Sequence, residues 1–114
     1  MRPVRRAGLP VRGAVMRRAA RTDANEAEIV RAFEAFGCLV HDTSALGGGF
    51  PDLVVRAYDR VLLVEVKDGS KPPSARRLTP DQVAFQQRGW VVHVVTCLDD
   101  VIALVRKSRP RTVA

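Results

Sequence analysis

The chain has 114 residues, 46% of them hydrophobic and 27% charged, which is the composition of one folded domain and excludes a multidomain enzyme. No stretch approaches the ~20 consecutive apolar residues of a membrane span, so no membrane partner is expected. The formal net charge of +7 lies at the ends, because residues 1–21 carry seven Arg and no acid, whereas residues 22–105 carry eight basic and twelve acidic side chains.

The two terminal segments, residues 1–21 and 108–114, are predicted to be flexible and basic around a nearly balanced body. Such segments attract a polyphosphate by counterion release without reading its sequence. A terminus that only improves solubility is the alternative. Met16 is also an alternative start of translation, which would remove four of the seven arginines.

The cysteines and the first residues bear on cellular location. Cys38 and Cys97 lie far apart inside apolar segments, which indicates two buried thiols rather than a disulfide or a zinc site. Residues 1–21 contain no apolar core of a secretory signal, although a transit peptide would share their Arg-rich, acid-free composition. We therefore expect a protein of the cytoplasm or the nucleoid that is not secreted.

The first elements in chain order are a helix and a short strand. Helical spacing extends over about residues 24–36 and ends before Gly37, and its apolar positions are Ile29, Ala32, Phe33 and Phe36. A strand is predicted over residues 38–41. The glycine-rich residues 46–51 then predict a loop that turns sharply or approaches another part of the molecule closely.

A β-hairpin is predicted next. Its strands cover about residues 52–57 and 60–67, and the two residues Tyr58-Asp59 between them are short enough for a tight turn. A polar loop with two prolines follows over residues 68–78.

The last elements are a helix, a strand and a helix. The first helix, from residue 80 to about 88, is opened by an N-cap, a proline and an acid, Thr79-Pro80-Asp81. Residues 90–96 are a continuous apolar run, typical of a strand covered on both faces, which should be central in the sheet or nearly so. Residues 98–107 again show helical spacing. The sequence therefore predicts an α/β fold of order α-β-β-β-α-β-α.

Two charged side chains end an otherwise apolar strand. Glu65 and Lys67 are two residues apart and project to the same side, where burial requires pairing, hydrogen bonds or a metal ion. Asp52 begins the neighbouring strand, and the hairpin can bring it beside Glu65. Two carboxylates are ligands that Mg²⁺ prefers, and a lysine beside them can orient or deprotonate an attacking water. A solvated salt bridge at the strand end is the alternative.

These residues, Pro51-Asp52 followed by Glu65-Val66-Lys67, resemble the PD-(D/E)xK nucleases, and more closely their VRR-NUC type, which is common in phages and mobile elements. Further matching features are a first helix with Glu26 and Glu28, the approach Gly47-Gly48-Gly49-Phe50-Pro51-Asp52, and the helix opening Leu78-Thr79-Pro80-Asp81-Gln82. The resemblance spans about residues 22–105. It implies a nuclease domain over residues 22–107 with a restriction-endonuclease-like core, a mixed sheet flanked by helices.

The resemblance also implies a role for each matching residue. Asp52, Glu65 and the Val66 carbonyl would bind the metal ion, while Lys67 would serve the nucleophilic water. Gln82 would steady that lysine or that water.

A glutamate from the first helix commonly completes such sites, and two glutamates compete for this role. Glu26 and Glu28 lie at similar angles from the apolar stripe of the helix, so the sequence does not separate them. Glu26 also fits a capping box with Asp23.

The implied activity is that of a Mg²⁺-dependent endonuclease, with Mn²⁺ as a substitute, that hydrolyses DNA phosphodiester bonds. So small a chain has little capacity for base readout, so branched, nicked or junction DNA is the expected substrate. Cutting two strands with one site per chain favours a homodimer, as the likeness to junction-resolving relatives also implies. The alternatives are a non-catalytic nucleic-acid-binding module on the same fold, and a restriction-type nuclease that needs a partner for specificity.

Overall fold

The computed structural model describes residues 24–111, and the predicted order of elements is confirmed within them. The elements are α1 (Ala24–Ala35), β1 (Leu39–Asp42), β2 (Leu53–Ala57), β3 (Arg60–Val66), α2 (Pro80–Gln87), β4 (Val92–Val95) and α3 (Leu98–Ser108). A single 3-10 turn, Pro73–Ala75, lies in the connection before α2. The predicted basic segment 1–21 and the last three residues of the predicted tail lie outside the described residues.

The sheet is mixed, and its strand order is β1-β2-β3-β4. The first three strands pair antiparallel, whereas β3 and β4 pair in parallel and are joined through α2. The prediction that residues 90–96 form a central strand is wrong, because β4 is an edge strand of this sheet and Trp90, Val91 and Val94 are exposed. Within this run, Val95 packs into the core, and Trp90 and Val91 line a groove.

One face of the sheet packs against α1 and α3 to form the hydrophobic core. The register Leu53↔Val64 places alternate side chains of β2 and β3 on this face. The largest fully buried core side chains are Ile29, Phe33, Leu53, Val55, Val64, Val95 and Val101. Because side chains alternate along a strand, Asp52 and Glu65 project from the opposite face.

The opposite face of the sheet carries Asp52 and Glu65, and we call it the open face. Helix α2 covers part of it. Phe85 of α2 is buried, and its ring centroid lies 5.5 Å from that of Phe50 and 5.8 Å from that of Trp90. This aromatic row anchors α2 to the glycine-rich loop on one side and to the start of β4 on the other.

Two side chains are more exposed than the sequence predicts. Phe36 follows the last residue of α1 instead of extending its apolar stripe, and it is 49% exposed. Cys97 lies at the N-cap of α3 and is exposed, whereas Cys38 is buried as predicted. Within residues 24–111, no helix has the length and apolar character needed to span a membrane.

Candidate active site

Asp52 and Glu65 lie side by side on neighbouring strands. Asp52 directly precedes β2, and the register Leu53↔Val64 places it opposite Glu65 of β3. Oδ2 of Asp52 accepts a hydrogen bond of 2.9 Å from the Val66 N–H, and Glu65 is buried. The structure thus brings together the two acids that the sequence predicts to converge.

Gln82 of α2 connects Lys67 to Glu65. Its Nε2 donates to Oε2 of Glu65 at 2.7 Å, and its Oε1 accepts from Nζ of Lys67 at 3.0 Å. Nζ of Lys67 also lies 3.5 Å from Oε2 of Glu65, with only 13% and 5% of the two side chains exposed. An ion pair this buried differs from the solvated strand-end salt bridge that was the structural alternative.

The first turn of α2 holds the Gln82 side chain in place. Oγ1 of Thr79 accepts from the Gln82 N–H at 3.2 Å, and Oε1 of Gln82 accepts from the Thr79 N–H at 2.9 Å. These reciprocal bonds form a capping box, which satisfies two backbone donors at the start of the helix. The same amide oxygen therefore caps the helix and holds Lys67.

Gly49 sets the distance between the glycine-rich loop and α2. Its φ of +86° lies in the left-handed region, and a Cβ added there would overlap the carbonyl oxygen of Asp81 and lie 3.1 Å from the nitrogen of Gln82. Gly47 and Gly48 also have positive φ, but a Cβ on either would meet no atom within 4 Å. The close approach that the glycines predict therefore occurs at Gly49, next to the residue that enters the site.

Burial raises the pKa values of both carboxyls. For Glu65, burial and then the negative charge of Asp52 raise the pKa to about 7, although Lys67 acts in the opposite direction. Burial also raises the pKa of Asp52, while the hydrogen bond from Val66 and the charge of Lys67 oppose it. Two carboxylates that resist ionising together retain a proton or attract a cation.

The donor set suits a hard divalent cation. Asp52 and Glu65 provide carboxylate oxygens, and the Val66 carbonyl points to the same side of β3 as its N–H, which faces Asp52. Mg²⁺ is commonly held by one or two carboxylates and keeps several waters, so these groups fit it. Within residues 24–111 there is no group of three or more His, Cys, Asp or Glu placed to hold a metal ion.

The fold is similar to that of a known nuclease-type domain. A solved structure of a VRR-NUC domain matches with a TM-score of 0.52 and 32% sequence identity, over 74% of this chain and 92% of that one. The chain belongs to the VRR-NUC family. No family sequence model and no curated protein matches the chain. The resemblance predicted from Pro51-Asp52 and Glu65-Val66-Lys67 is confirmed, and with it a nuclease-type domain.

The two candidate glutamates of α1 in this VRR-NUC domain, Glu26 and Glu28, have different surroundings. Glu26 is buried in the first turn of α1, whereas Glu28 is exposed and lines a cavity. Nδ2 of Asn25 donates to the Lys67 carbonyl oxygen at 2.9 Å, which fixes the first turn of α1 against the site end of β3. Tertiary packing thus separates two residues that have similar positions on a helical wheel.

Three supporting features of the VRR-NUC site were not found in the sequence. The capping box had a signal, since Thr79 and Gln82 have the required type and spacing. The overlap at Gly49 had a weaker sequence signal. A run of glycines indicates that the backbone approaches another segment closely, but it does not identify that segment. The bond from Asn25 to Lys67 had none, because it joins residues 42 positions apart.

Proposed function

We propose that this chain is a Mg²⁺-dependent endonuclease that hydrolyses DNA phosphodiester bonds, with a preference for branched, nicked or junction DNA. The observation that carries the proposal is the Gln82 bridge, in which one amide holds Lys67 and Glu65 beside Asp52. Buried ionisable groups with raised pKa values, clustered on a VRR-NUC fold, are typical of a catalytic site.

Asp52 and Glu65 would hold the metal ion, and the Val66 carbonyl would be its third protein ligand. A bound Mg²⁺ or Mn²⁺ supplies positive charge that offsets the phosphate charge and lowers the pKa of a coordinated water. Asp52 and Glu65 would have to be ionised to hold the cation, so a bound cation would replace the proton that their raised pKa values favour.

Lys67 acts on the attacking water or on the phosphate. An ammonium has three N–H donors, and among the described contacts Oε1 of Gln82 and Oε2 of Glu65 engage two of them. The third donor can reach a water or a non-bridging phosphate oxygen, where it orients the nucleophile and offsets developing negative charge. Gln82 keeps the ammonium in position because the helix cap fixes its Oε1.

We assign the role of the helix glutamate to Glu26, as a carboxylate that supports the site from outside the metal ligand set. Burial of a carboxylate is costly in a domain of this size, and Glu26 is 7% exposed while Glu28 lies at the surface. The bond of the adjacent Asn25 to Lys67 supports the assignment, because it fixes this turn of α1 next to the catalytic strand.

The size of the domain favours recognition of DNA shape over base sequence. Contacts to phosphates position a protein on DNA without reading bases, and the seven arginines of residues 1–21 are suited to such contacts. Cutting two strands with one site per chain favours two chains, so the proposal includes a homodimer, which sedimentation equilibrium measures directly.

The proposal is tested by incubating the purified full chain with supercoiled plasmid, branched DNA and linear duplex in Mg²⁺, Mn²⁺ or EDTA. We expect nicking in both metals and none in EDTA, with faster cleavage of branched than of linear DNA. Binding without nicking in either metal would contradict the proposal and support the non-catalytic module. Nicking that appears only after a second protein is added would support the restriction-type nuclease.

A further inference from the structure

A groove of about 600 Å³ lies where β4 begins, at the end of the sheet away from the carboxylates. Trp90 and Val91 line it from the segment before β4, and Val61 and Leu63 line it from β3. Arg60 and Lys107 contribute its charged side chains, and no acid is among its described lining residues. The groove is therefore cationic with an apolar floor.

Trp90, the single tryptophan of the sequence, offers aromatic surface to this groove. It is 51% exposed, although its ring is stacked on Phe85 with 5.8 Å between centroids and 15° between planes. Stacking on one side fixes the ring, and the exposed half remains accessible to a second planar group. A nucleobase is such a group, and aromatic side chains stack on unpaired bases regardless of sequence.

Arg60 and Lys107 line the groove together with His93. Burial, followed by the charges of Lys107 and Arg60, lowers the pKa of His93, which also lines the groove. Both cations of the groove therefore lie near the His93 side chain. Neighbouring positive charges beside an exposed aromatic ring are complementary to a nucleic acid strand, and they disfavour a second copy of this cationic groove as the occupant.

The groove lies at the end of β3 away from Glu65, where the open face meets the face that packs against α3. Val61 and Leu63 line it from the open face, and Leu62 and Lys107 line it from the α3 side. Val61 and Leu63 precede Glu65 on the open face of β3, at intervals of two residues. A strand rises about 3.3 Å per residue, so Val61 lies about 13 Å from Glu65, a distance that roughly four nucleotides of a stacked strand would cover. The row Phe50–Phe85–Trp90 connects the same two regions on the side of α2.

We propose that this groove binds an unpaired DNA strand leaving the cleavage site, with a base stacked on Trp90 and phosphates contacting Arg60 and Lys107. The inference rests on the proposed nuclease function and deepens it by naming the substrate class, a duplex that continues into a single-stranded flank. An unpaired flank suits the groove because its bases are free to stack, whereas the bases of a duplex are already stacked on one another.

Trp90 fluorescence tests the inference, because no other residue of the chain is a tryptophan. The full chain in EDTA, where cleavage is absent, is titrated with oligo(dT) of about 12 nucleotides, within the range of single-strand binding sites. We expect the emission to fall as the strand binds, with a much smaller change for a blunt duplex of equal length. Anisotropy of a labelled strand measures binding independently.

Variants locate the contact within the groove. Lys107→Ala should lower the slope of log affinity against log salt by about 0.7, and Trp90→Ala should weaken strand binding about tenfold. Trp90→Phe, which keeps a stacking ring, should restore most of that affinity. Arg106→Ala is the matched control, because Arg106 is the exposed cation next to Lys107 and does not line the groove.

The inference is overturned if the strand binds by anisotropy while Trp90 emission stays constant, or if Lys107→Ala and Arg106→Ala weaken binding equally. A change in Trp90 emission with protein concentration alone, accompanied by dimerisation, would also overturn it and assign the groove to a second copy. Quenching of Trp90 in a chain that cleaves no DNA would contradict the nuclease proposal alone, so the two failures are distinguishable.

Discussion

At the scale of single residues, Asp52 and Glu65 impose a free-energy cost on the metal-free fold. They are neighbours in the register of β2 and β3, and Glu65 is almost fully buried. Lys67 and Gln82 reduce this cost by pairing with Glu65, but the pKa of Glu65 still lies at about 7. A divalent cation would offset the remaining repulsion between the two acids.

The pH dependence of stability reports this cost. In the absence of metal, folded Glu65 keeps its proton up to about pH 7, whereas the unfolded chain releases it near its ordinary pKa of 4.5. Stability should therefore decrease as the pH rises through this window, by up to about 3 kcal/mol. Thermal unfolding in EDTA should show a midpoint lower by roughly 5 °C or more at pH 7.5 than at pH 5.

Glu65→Gln is the control for the pH dependence, because it keeps an amide of similar shape and removes the titration. Between pH 5 and pH 7.5, the thermal unfolding midpoint should fall less in Glu65→Gln than in the wild type in EDTA. It should also fall less in the wild type when Mg²⁺ is present. An identical pH dependence in the wild type and Glu65→Gln would contradict the raised pKa.

At the scale of elements, the placement of α2 determines whether Gln82 reaches the strands. The capping box at Thr79 orients the side chain, and the contact of Gly49 with Asp81 sets how closely the helix approaches the loop. The glycine-rich loop precedes Asp52 and Glu65 in the sequence, and α2 follows them. The contact between Gly49 and Asp81 therefore brings together the two segments that flank the carboxylates.

Gly49→Ala should therefore impair catalysis more than it impairs stability. The added Cβ pushes the first turn of α2 away from the loop, and a displacement of about 1 Å can reduce a rate about 100-fold. We expect kcat for plasmid nicking to fall at least about tenfold, with KM little changed.

Gly48→Ala is the matched control, because it has the same strain of positive φ and no overlap with another atom. Both variants should lose about 1 kcal/mol of stability because alanine is disfavoured in the left-handed region, and Gly49→Ala should lose more because its Cβ overlaps the backbone of Asp81. Equal loss of kcat in the two variants would contradict the positioning role of Gly49.

The sequence predicts the site better than it predicts the edge of the sheet. The two-residue turn at Tyr58-Asp59 fixes the hairpin register, so the proximity of Asp52 and Glu65 follows from local spacing. The position of β4 in the sheet does not follow from local spacing. An apolar run is compatible both with a central strand and with an edge strand whose exposed residues line a groove. Contacts between distant segments, such as Asn25 with Lys67, leave no local pattern.

At the scale of the whole molecule, most of the net positive charge lies in the terminal segments, whereas the candidate catalytic residues lie between them. Residues 22–105 have more acids than bases, whereas residues 1–21 hold seven arginines and residues 106–114 hold four basic side chains. The metal-binding pair, Asp52 and Glu65, is acidic, and Lys67 is the one lysine that we place beside it. Attraction to DNA should therefore depend largely on segments outside the catalytic body.

Deleting residues 1–21 should weaken DNA binding and flatten its salt dependence while cleavage at saturating DNA is preserved. Each arginine that contacts a duplex phosphate contributes about 0.9 to the slope of log affinity against log salt, so the slope measures how many of the seven are engaged. Titrations of labelled duplex at several salt concentrations provide the comparison. A slope unchanged by the deletion would refute a role of this segment in DNA contact.

The most direct test of the account is plasmid nicking in Mg²⁺ by Asp52→Asn, with Asp59→Asn as the control. Asp59 is an exposed aspartate in the turn at the other end of the same hairpin, so the two variants change the same charge at different places. We predict that Asp52→Asn folds, as judged by circular dichroism, and loses at least about 100-fold in rate, because it removes a metal ligand. Asp59→Asn should match the wild type. Wild-type nicking by Asp52→Asn would contradict the assignment of the site.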